Sequence, residues 1–192
     1  MYVTLRDDNQ ILSSKIVENQ DNKYHSAFLI STIKEILKEN NYEPKDLDVI
    51  GTNVGPGSFT GIRACTTVAR IMAQQLNIKA IGISSLEILA KINNTKNPLV
   101  ALDARKNKAY LYCDNEIKGA IELEQVKELA DSGKYTVITD NRLQPLLGGI
   151  SYQQENYPLG DILSDLVAEK AKISNGNWAE LTPLYIQPPP MG

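Results

Sequence analysis

Side chains that commonly perform catalysis or bind metals are scarce in this sequence, which has one histidine and two cysteines in 192 residues. A lone imidazole excludes a His-x-x-x-His metal pair and every other site that needs two histidines. Cys65 and Cys113 form neither a Cys-x-x-Cys pair nor a disulfide framework, a usage typical of the reducing cytosol. The sequence therefore predicts a cytoplasmic protein without a metal site.

Excess positive charge and long apolar runs are also missing. The chain carries 20 basic and 23 acidic residues, a net charge of -3, whereas a protein that coats nucleic acid needs clustered lysine and arginine. No run approaches the roughly 20 apolar residues that cross a bilayer, and the N-terminus lacks the basic and apolar regions of a signal peptide. We therefore expect a soluble protein that does not enter a membrane.

Hydrophobic periodicity predicts an α/β protein. In the first half, period-two alternation predicts a hairpin, and three- and four-residue spacing predicts helices over 25–40 and 60–76. A further strand is expected at 79–83, followed by a helix over 85–92. The polar segment 93–98 is rich in residues that break regular structure, so we place a boundary there. The expected lobes are residues 1–97 and residues 98–192.

The second half alternates short strands and helices before a proline-rich tail. An amphipathic pattern predicts a helix over 159–172, and the consecutive prolines near the C-terminus require an extended chain. The remaining elements expected in this half are strands at 99–103, 109–113, 119–123 and 135–139 and a short helix at 124–131.

A glycine-rich loop between a predicted strand at 47–54 and the helix at 60–76 is the most informative segment. Such a turn can direct backbone N–H groups at an anion. However, no Lys-Ser/Thr pair follows the glycines, and their spacing does not fit the dinucleotide fingerprint. A tight turn capped by Ser58 or Thr60, which lets backbone and helix approach closely, is the favoured interpretation. The alternative is a phosphate site, working or vestigial, made by Gly55, Gly57, Ser58, Thr60 and Gly61.

The helix that follows this loop has an unusually wide apolar surface. One stripe contains Cys65, Ala69, Met72 and Leu76, and an adjoining stripe contains Ala64, Val68 and Ile71. A helix with this pattern is either enclosed within the fold or packed partly against a second chain.

Three further features are open to two interpretations each. Asp103-Ala104-Arg105 places an acid and a base at a strand end, but a local ion pair in a hairpin turn explains it as well. Arg105, Lys106 and Lys108 make a small cationic spot. Gly148-Gly149 is either a plain turn or a site of close approach to a nucleotide base. No nucleophile, base and oxyanion donors combine into a catalytic site.

The glycine loop and Asp103-Ala104-Arg105, together with several shorter segments, resemble the TsaB (YeaZ) family in order and spacing. The resemblance runs from about Tyr2 to Pro189, and the glycine-loop segment 53–63 is its most specific part. The other segments that carry it are His25-Ser26, Gly82-Ile83-Ser84-Ser85-Leu86, Ala101-Leu102-Asp103-Ala104-Arg105 and Pro183-Leu184-Tyr185-Ile186.

Membership implies a two-lobed fold of the actin-like ATPase superfamily, with each lobe built on a ribonuclease-H-like sheet. It implies a non-catalytic partner of TsaD in the synthesis of threonylcarbamoyladenosine, the tRNA modification beside the anticodon, with the ATPase TsaE joining the pair. The resemblance implies no cofactor on this chain alone, with ATP entering at the level of the complex. We expect its contact with tRNA to be indirect.

The resemblance also implies a docking surface on the helices at 25–40 and 60–76, used for TsaD and, in its absence, for a homodimer. The contact candidates on these helices are Leu29, Ile33, Ala64, Cys65, Val68 and Met72.

One departure from the family pattern concerns the start of the fold. Members usually begin with a strand that ends in an Asp-Thr-Ser-like motif, whereas this chain begins at what resembles the second strand. Either the sequence is shortened or the first lobe has lost that strand, which forms part of the phosphate cradle in actin-like folds. The competing functions are a small actin-like ATPase or sugar-kinase relative that uses the glycine loop and, least favoured, a peptidase.

Overall fold

The computed structural model describes residues 1–16, 28–152 and 156–186. The strands of this part are β1 Tyr2–Asp7, β2 Gln10–Ile16, β3 Val49–Gly55, β4 Lys79–Ser84, β5 Pro98–Asp103, β6 Lys108–Cys113, β7 Glu116–Glu122, β8 Thr136–Thr139 and β9 Ile150–Ser151. The helices are α1 Leu29–Glu39, α2 Phe59–Leu76, α3 Ser85–Ala90, α4 Leu123–Asp131, α5 Gln144–Leu147 and α6 Leu159–Ile173.

The chain divides into two compact units. The first contains residues 1–83 and 158–183, and the second contains 84–157 together with the C-terminal residues from 184. This division differs from the expected boundary at 97/98 in two ways: α3 belongs to the second unit, and α6 returns to the first. The amphipathic face of α6 packs on β1, β2 and β3, which explains why a helix so late in the sequence belongs with the first residues.

The first unit contains two separate two-stranded sheets, β1–β2 and β3–β4. Helix α1 packs on the antiparallel β1–β2 hairpin around the buried residues Leu5, Ile36 and Leu37. Helix α2 packs on β3 through its small buried residues Ala69 and Ala73. Two distinct apolar clusters therefore stabilise this unit.

The second unit is built on a five-stranded mixed sheet with the order β7-β6-β5-β8-β9. Strands β5, β6 and β7 pair antiparallel, whereas β5–β8 and β8–β9 are parallel. The fully buried side chains of Leu99, Val126 and Ile138 belong to this unit. Parallel pairing brings the carboxyl ends of β5 and β8 to the same edge of the sheet.

The α/β class predicted from the sequence is confirmed. Its strands and long helices lie within a few residues of the expected positions, while α5 and β9 were not predicted. The expected helix start at 25–27, with His25, lies outside the described residues, and α1 as described begins at Leu29. None of the helices in the described ranges combines the length and apolar character that a membrane crossing requires.

Candidate functional site

The glycine loop has a defined capping structure. Gly55 has φ 105°, in the region that favours glycine, and a cis peptide bond joins it to Pro56. The Asn53 side-chain oxygen accepts a hydrogen bond from the Gly55 N–H at 2.8 Å. Ser58 is the N-cap of α2, because its Oγ accepts a hydrogen bond from the Gly61 N–H at 3.3 Å. The structural interpretation of the loop therefore holds for Ser58, while Thr60 lies in the first turn of the helix.

The other two glycines of the loop do not mark close approaches. A Cβ added at Gly57 would lie 3.7 Å from Ile62 Cδ1, and one added at Gly61 would lie 3.4 Å from Ser58 Oγ, both ordinary contact distances. The guanidinium of Arg63, the nearest basic residue in the sequence, lies over the Phe59 ring, 5.1 Å from its centroid. Neither Gly57 nor Gly61 is therefore required by a close approach of another atom to its Cα.

Gly57→Val distinguishes the structural loop from a phosphate site. Because Gly57 is exposed and its backbone is not left-handed, we expect the free energy of unfolding to change by less than about 1 kcal/mol. Gly55→Val, the matched control, forces a β-branched residue to φ 105° and is expected to cost about 1–3 kcal/mol. Denaturant unfolding measures both. ATP hydrolysis by the unsubstituted chain that Gly57→Val abolishes would instead establish the phosphate site.

Helix α2 carries an apolar stripe that its own unit covers only in part, which we call the α2 stripe: Ala64, Cys65, Val68, Ile71 and Met72. Ile71 is 54% exposed, and the other four members are half-buried. Ile71 is three positions from Val68 and seven from Ala64, so helical periodicity places them on one side. Beside Ile71 lies a groove of about 230 Å³, lined also by Thr67, Arg70, Gln74 and Trp178.

The two candidates on α1 differ in accessibility. Leu29 is 6% exposed, and Ile33 is half-buried against the cluster of Leu5, Ile36 and Leu37. The exposed apolar residue of α1 is Ile30, with 55% of its surface accessible. Sequence reasoning did not select Ile30 or Ile71 as contacts, because periodicity identifies an apolar face but not which of its members the sheet covers.

Neither cysteine is activated as a nucleophile. Burial raises the pKa of the Cys65 thiol, and the amino group of Met1 offsets this only in part. Burial also raises the pKa of Cys113, with a smaller contribution from the carboxylate of Asp114. A raised pKa leaves the thiol protonated near neutral pH, where the thiolate is the reactive form.

A charged cluster lies where β5 and β8 end. The Asp103 carboxylate accepts a hydrogen bond from Arg142 Nη1 at 2.8 Å and another from the Arg105 backbone N–H at 2.9 Å. The Asp140 carboxylate accepts from the backbone N–H groups of Asp103 at 2.6 Å and Arg142 at 2.9 Å. The expected ion pair between Asp103 and Arg105 is therefore replaced by a pair between Asp103 and Arg142.

The pairing of Asp103 with Arg142 shifts the pKa of the Asp103 carboxyl group. The hydrogen bond from Arg142 is the largest influence on Asp103 and, with the backbone bond from Arg105, lowers the pKa of its carboxyl group below the ordinary 3.8 despite some burial. Sequence reasoning missed Asp140 and Arg142. The sequence did contain a signal for them, because both residues closely follow the strand predicted at 135–139. Neighbouring parallel strands bring their carboxyl ends together, so residues that follow two such strands lie close to each other. Within the described ranges, no three histidine, cysteine, aspartate or glutamate residues are grouped to hold a metal ion.

Comparison with known proteins places the chain in a family. A family model described as TsaD, tRNA N6-adenosine threonylcarbamoyltransferase, matches residues 9–137, more than half of the 192 residues. The TsaB protein of Buchnera aphidicola from Acyrthosiphon pisum is 34% identical over 92 residues, and that of Bacillus subtilis is 34% identical over 90 residues. The chain belongs to the TsaB/YeaZ family.

The matches to these two TsaB proteins cover less than half of each chain. Each of these two matches covers 46% of this chain, and the chain spans 42% of the Buchnera protein and 39% of the Bacillus protein. Both relatives are named tRNA threonylcarbamoyladenosine biosynthesis protein TsaB. The glycine loop, the α2 stripe and the end of β5 lie inside the range of the family model, whereas Asp140 and Arg142 lie beyond it.

Solved TsaB/YeaZ structures share the fold over almost the whole chain. YeaZ from Pseudomonas aeruginosa superposes with a TM-score of 0.73 at 20% identity, covering 96% of this chain and 94% of that one. A second P. aeruginosa structure, of an uncharacterised protein with similarity to peptidase YEAZ, gives a TM-score of 0.75 at 20% identity, with coverage of 97% and 94%. At this identity the likeness establishes the α/β fold alone.

Proposed function

We propose that this protein is a non-catalytic subunit that pairs with TsaD in the threonylcarbamoyladenosine modification of tRNA beside the anticodon. The observation that carries the proposal is the α2 stripe, an apolar surface on a helix that packs on its own sheet through the opposite side, in a member of the TsaB/YeaZ family. Apolar surface of this kind is stabilised when a partner removes it from water.

The composition of the stripe fits a helix as its partner. Ala64 and Cys65 are small enough to let two helices approach closely, while Val68, Ile71 and Met72 supply apolar surface to bury. The same stripe serves a second copy of this chain when TsaD is absent. On α1, Leu29 is buried and Ile33 packs against the cluster of Leu5, Ile36 and Leu37, so Ile30 is the α1 residue exposed enough to touch a partner.

The division of labour follows from the residues available. With one histidine in the 192 residues, the chain cannot supply a two-histidine metal site, so the proposal assigns the chemistry to TsaD. TsaE is recruited to the pair in the cytoplasm, and ATP acts at the level of the assembled complex rather than on this chain alone.

Co-purification with TsaD from the same organism tests the pairing. We expect a heterodimer at micromolar concentrations and tRNA modification that requires both chains. The control omits TsaD and offers this chain tRNA, ATP and threonine, for which we expect no product. Failure to pair with TsaD would refute the proposed function, as would turnover by this chain alone that a substitution within it abolishes.

We also propose that the first unit has the architecture of an actin-like lobe, with a place for one further strand between β1 and β3 in the part of the unit that the structure describes. The support is its division into two separate sheets, β1–β2 and β3–β4, both joined to the same helix α6. A ribonuclease-H-like lobe has one continuous sheet, and a strand between β1 and β3 restores it. The second unit, with its five-stranded mixed sheet, is the other lobe of this proposal.

Adding the implied strand tests this arrangement. A chain extended ahead of Met1 by a strand ending in Asp-Thr-Ser is expected to unfold at a temperature higher by about 5 °C or more, because it pairs with exposed strand edges. An extension with the same residues in scrambled order is the control. Equal unfolding midpoints for the two extensions would contradict the proposal.

A further inference from the structure

The edge of the second unit's sheet where β5 and β8 end is a position where many sheets with parallel strands bind ligands. Open sheets with parallel strands bind ligands outside the carboxyl ends of those strands, where the following loops diverge. Here the loop after β5 carries Arg105 and Lys106, and the loop after β8 carries Arg142. Three cations from two distant parts of the sequence therefore meet at one edge.

Asp103 organises the two loops. One of its oxygens accepts from the Arg105 backbone N–H at 2.9 Å, and the other accepts from the Arg142 guanidinium at 2.8 Å. Asp140 accepts from the backbone N–H groups of Asp103, Arg142 and Leu143 at 2.6, 2.9 and 3.0 Å. Both carboxylates are thus occupied by donors of the loops themselves, and the Asp103 side chain is only 20% exposed.

The cations, by contrast, are accessible. The Arg142 side chain is 76% exposed and uses Nη1 on Asp103, which leaves further guanidinium donors for a ligand. Arg105 and Lys106 are exposed and form no ion pair within the described residues. Lys108, the third member of the cationic spot, is paired with Glu122 at 2.8 Å and does not contribute.

The backbone that holds the β5–β6 loop is unusual for its sequence. Arg105, Lys106 and Asn107 have φ of 62°, 48° and 60°, a left-handed run in which glycine or asparagine is favoured over arginine and lysine. Hydrogen bonds hold the run in place: Ala104 N–H donates to Lys108 O at 3.0 Å, and Leu123 N–H donates to Asn107 O at 2.9 Å. Two cations in positions that the backbone disfavours point to a role for their charge.

We propose that Arg105, Lys106 and Arg142 form a phosphate-binding surface that contacts the sugar–phosphate backbone of the tRNA directly. This inference rests on the proposed function and departs from the sequence-based expectation of an indirect contact. Guanidinium groups match phosphate oxygens with paired donors, and the lysine adds a point charge. Such contacts position an RNA without reading its sequence.

An RNA fits this surface better than an acidic protein segment does. Protein interfaces have an apolar centre within a polar rim. The neighbours of the cations along the two loops are Asn107 on one loop and Asp140 and Asn141 on the other, and the apolar residues Ala104 and Leu143 are buried. The surface is therefore polar throughout, as is typical of a contact with a nucleic-acid backbone.

Binding of an unmodified tRNA to the complex with TsaD tests the proposal. The variant R105Q/K106Q removes two charges, and K96Q/K127Q is the matched control, since Lys96 and Lys127 are exposed lysines of the same unit. We expect the first variant to weaken tRNA binding roughly tenfold and to lower the salt dependence of the binding constant by about two counterions. The control is expected to change affinity less than about twofold.

The possible outcomes separate this inference from the proposed function. A tRNA affinity of R105Q/K106Q equal to that of the control, with TsaD pairing intact, overturns the phosphate surface and leaves the function standing. Loss of binding to poly-L-glutamate without loss of tRNA affinity overturns the assignment to RNA. If the unsubstituted chain does not pair with TsaD, the proposed function fails, and the same titration with the full chain alone still tests the surface. Unchanged thermal midpoints confirm that the variants are folded.

Discussion

Ile71→Asp is expected to abolish co-purification with TsaD, with a loss of affinity of about 100-fold or more. The substitution places a carboxylate at the most exposed member of the α2 stripe, where association would bury it beside Val68 without a partner charge. Burying an unpaired charge and losing an apolar contact together cost about 3 kcal/mol or more, and every 1.4 kcal/mol is a tenfold change in affinity. Titration calorimetry or fluorescence anisotropy with purified TsaD measures the effect.

Ile173→Asp is the matched control for this prediction. Ile173 is the last residue of α6 and is 89% exposed. Replacing it introduces the same carboxylate in place of the same apolar side chain, but at a position outside the α2 stripe. Both variants should unfold within about 1 kcal/mol of the parent, because both side chains are more than half exposed before the change. Equal affinities of the two variants for TsaD would contradict the assignment of the α2 stripe as the docking surface.

Gly149→Ala is expected to lower the free energy of unfolding by about 3 kcal/mol. Gly149 has φ 77°, and a Cβ there would lie 2.7 Å from the Val137 Cβ and 2.9 Å from its carbonyl carbon, and would also overlap its carbonyl oxygen. The substitution therefore combines a left-handed backbone with a steric overlap against β8 that no rotamer change relieves. For a chain of this length the unfolding temperature should fall by about 6–12 °C.

Gly148→Ala separates the two contributions. Gly148 has φ 69° and ψ -154°, a region that is essentially restricted to glycine, but a Cβ there would meet no atom of the described residues within 4 Å, so only the backbone cost of about 1–3 kcal/mol applies, without the steric overlap expected at Gly149. Equal losses for the two variants, measured by denaturant unfolding, would show that the approach to Val137 does not matter. The predicted difference would establish the Gly148-Gly149 pair as a structural turn, the simpler of its two sequence-based interpretations.

Local patterns in the sequence were sufficient for most individual elements. Helix α2 begins at Phe59 where the capping serine and the apolar periodicity place it, because both signals arise within a few residues. Helix α5 and strand β9 were missed, since four and two residues are too few to establish a period. The return of α6 to the first unit was also missed, because that contact joins residues more than a hundred positions apart in the sequence.

The same distinction applies to the surfaces proposed for function. Amphipathic spacing identified α2 as a helix with more apolar surface than one sheet can cover, and motif order identified the TsaB/YeaZ family. Periodicity could not show that Ile71 lies exposed while Ala69 is buried, since the covered side of a helix depends on where β3 lies. Nor could it show that Asp103 pairs with the guanidinium of Arg142 rather than with that of Arg105, because that ion pair exists only once parallel pairing has brought the ends of β5 and β8 together. Short-range periodicity records local backbone preference, whereas exposure and charge pairing arise from contacts between distant segments.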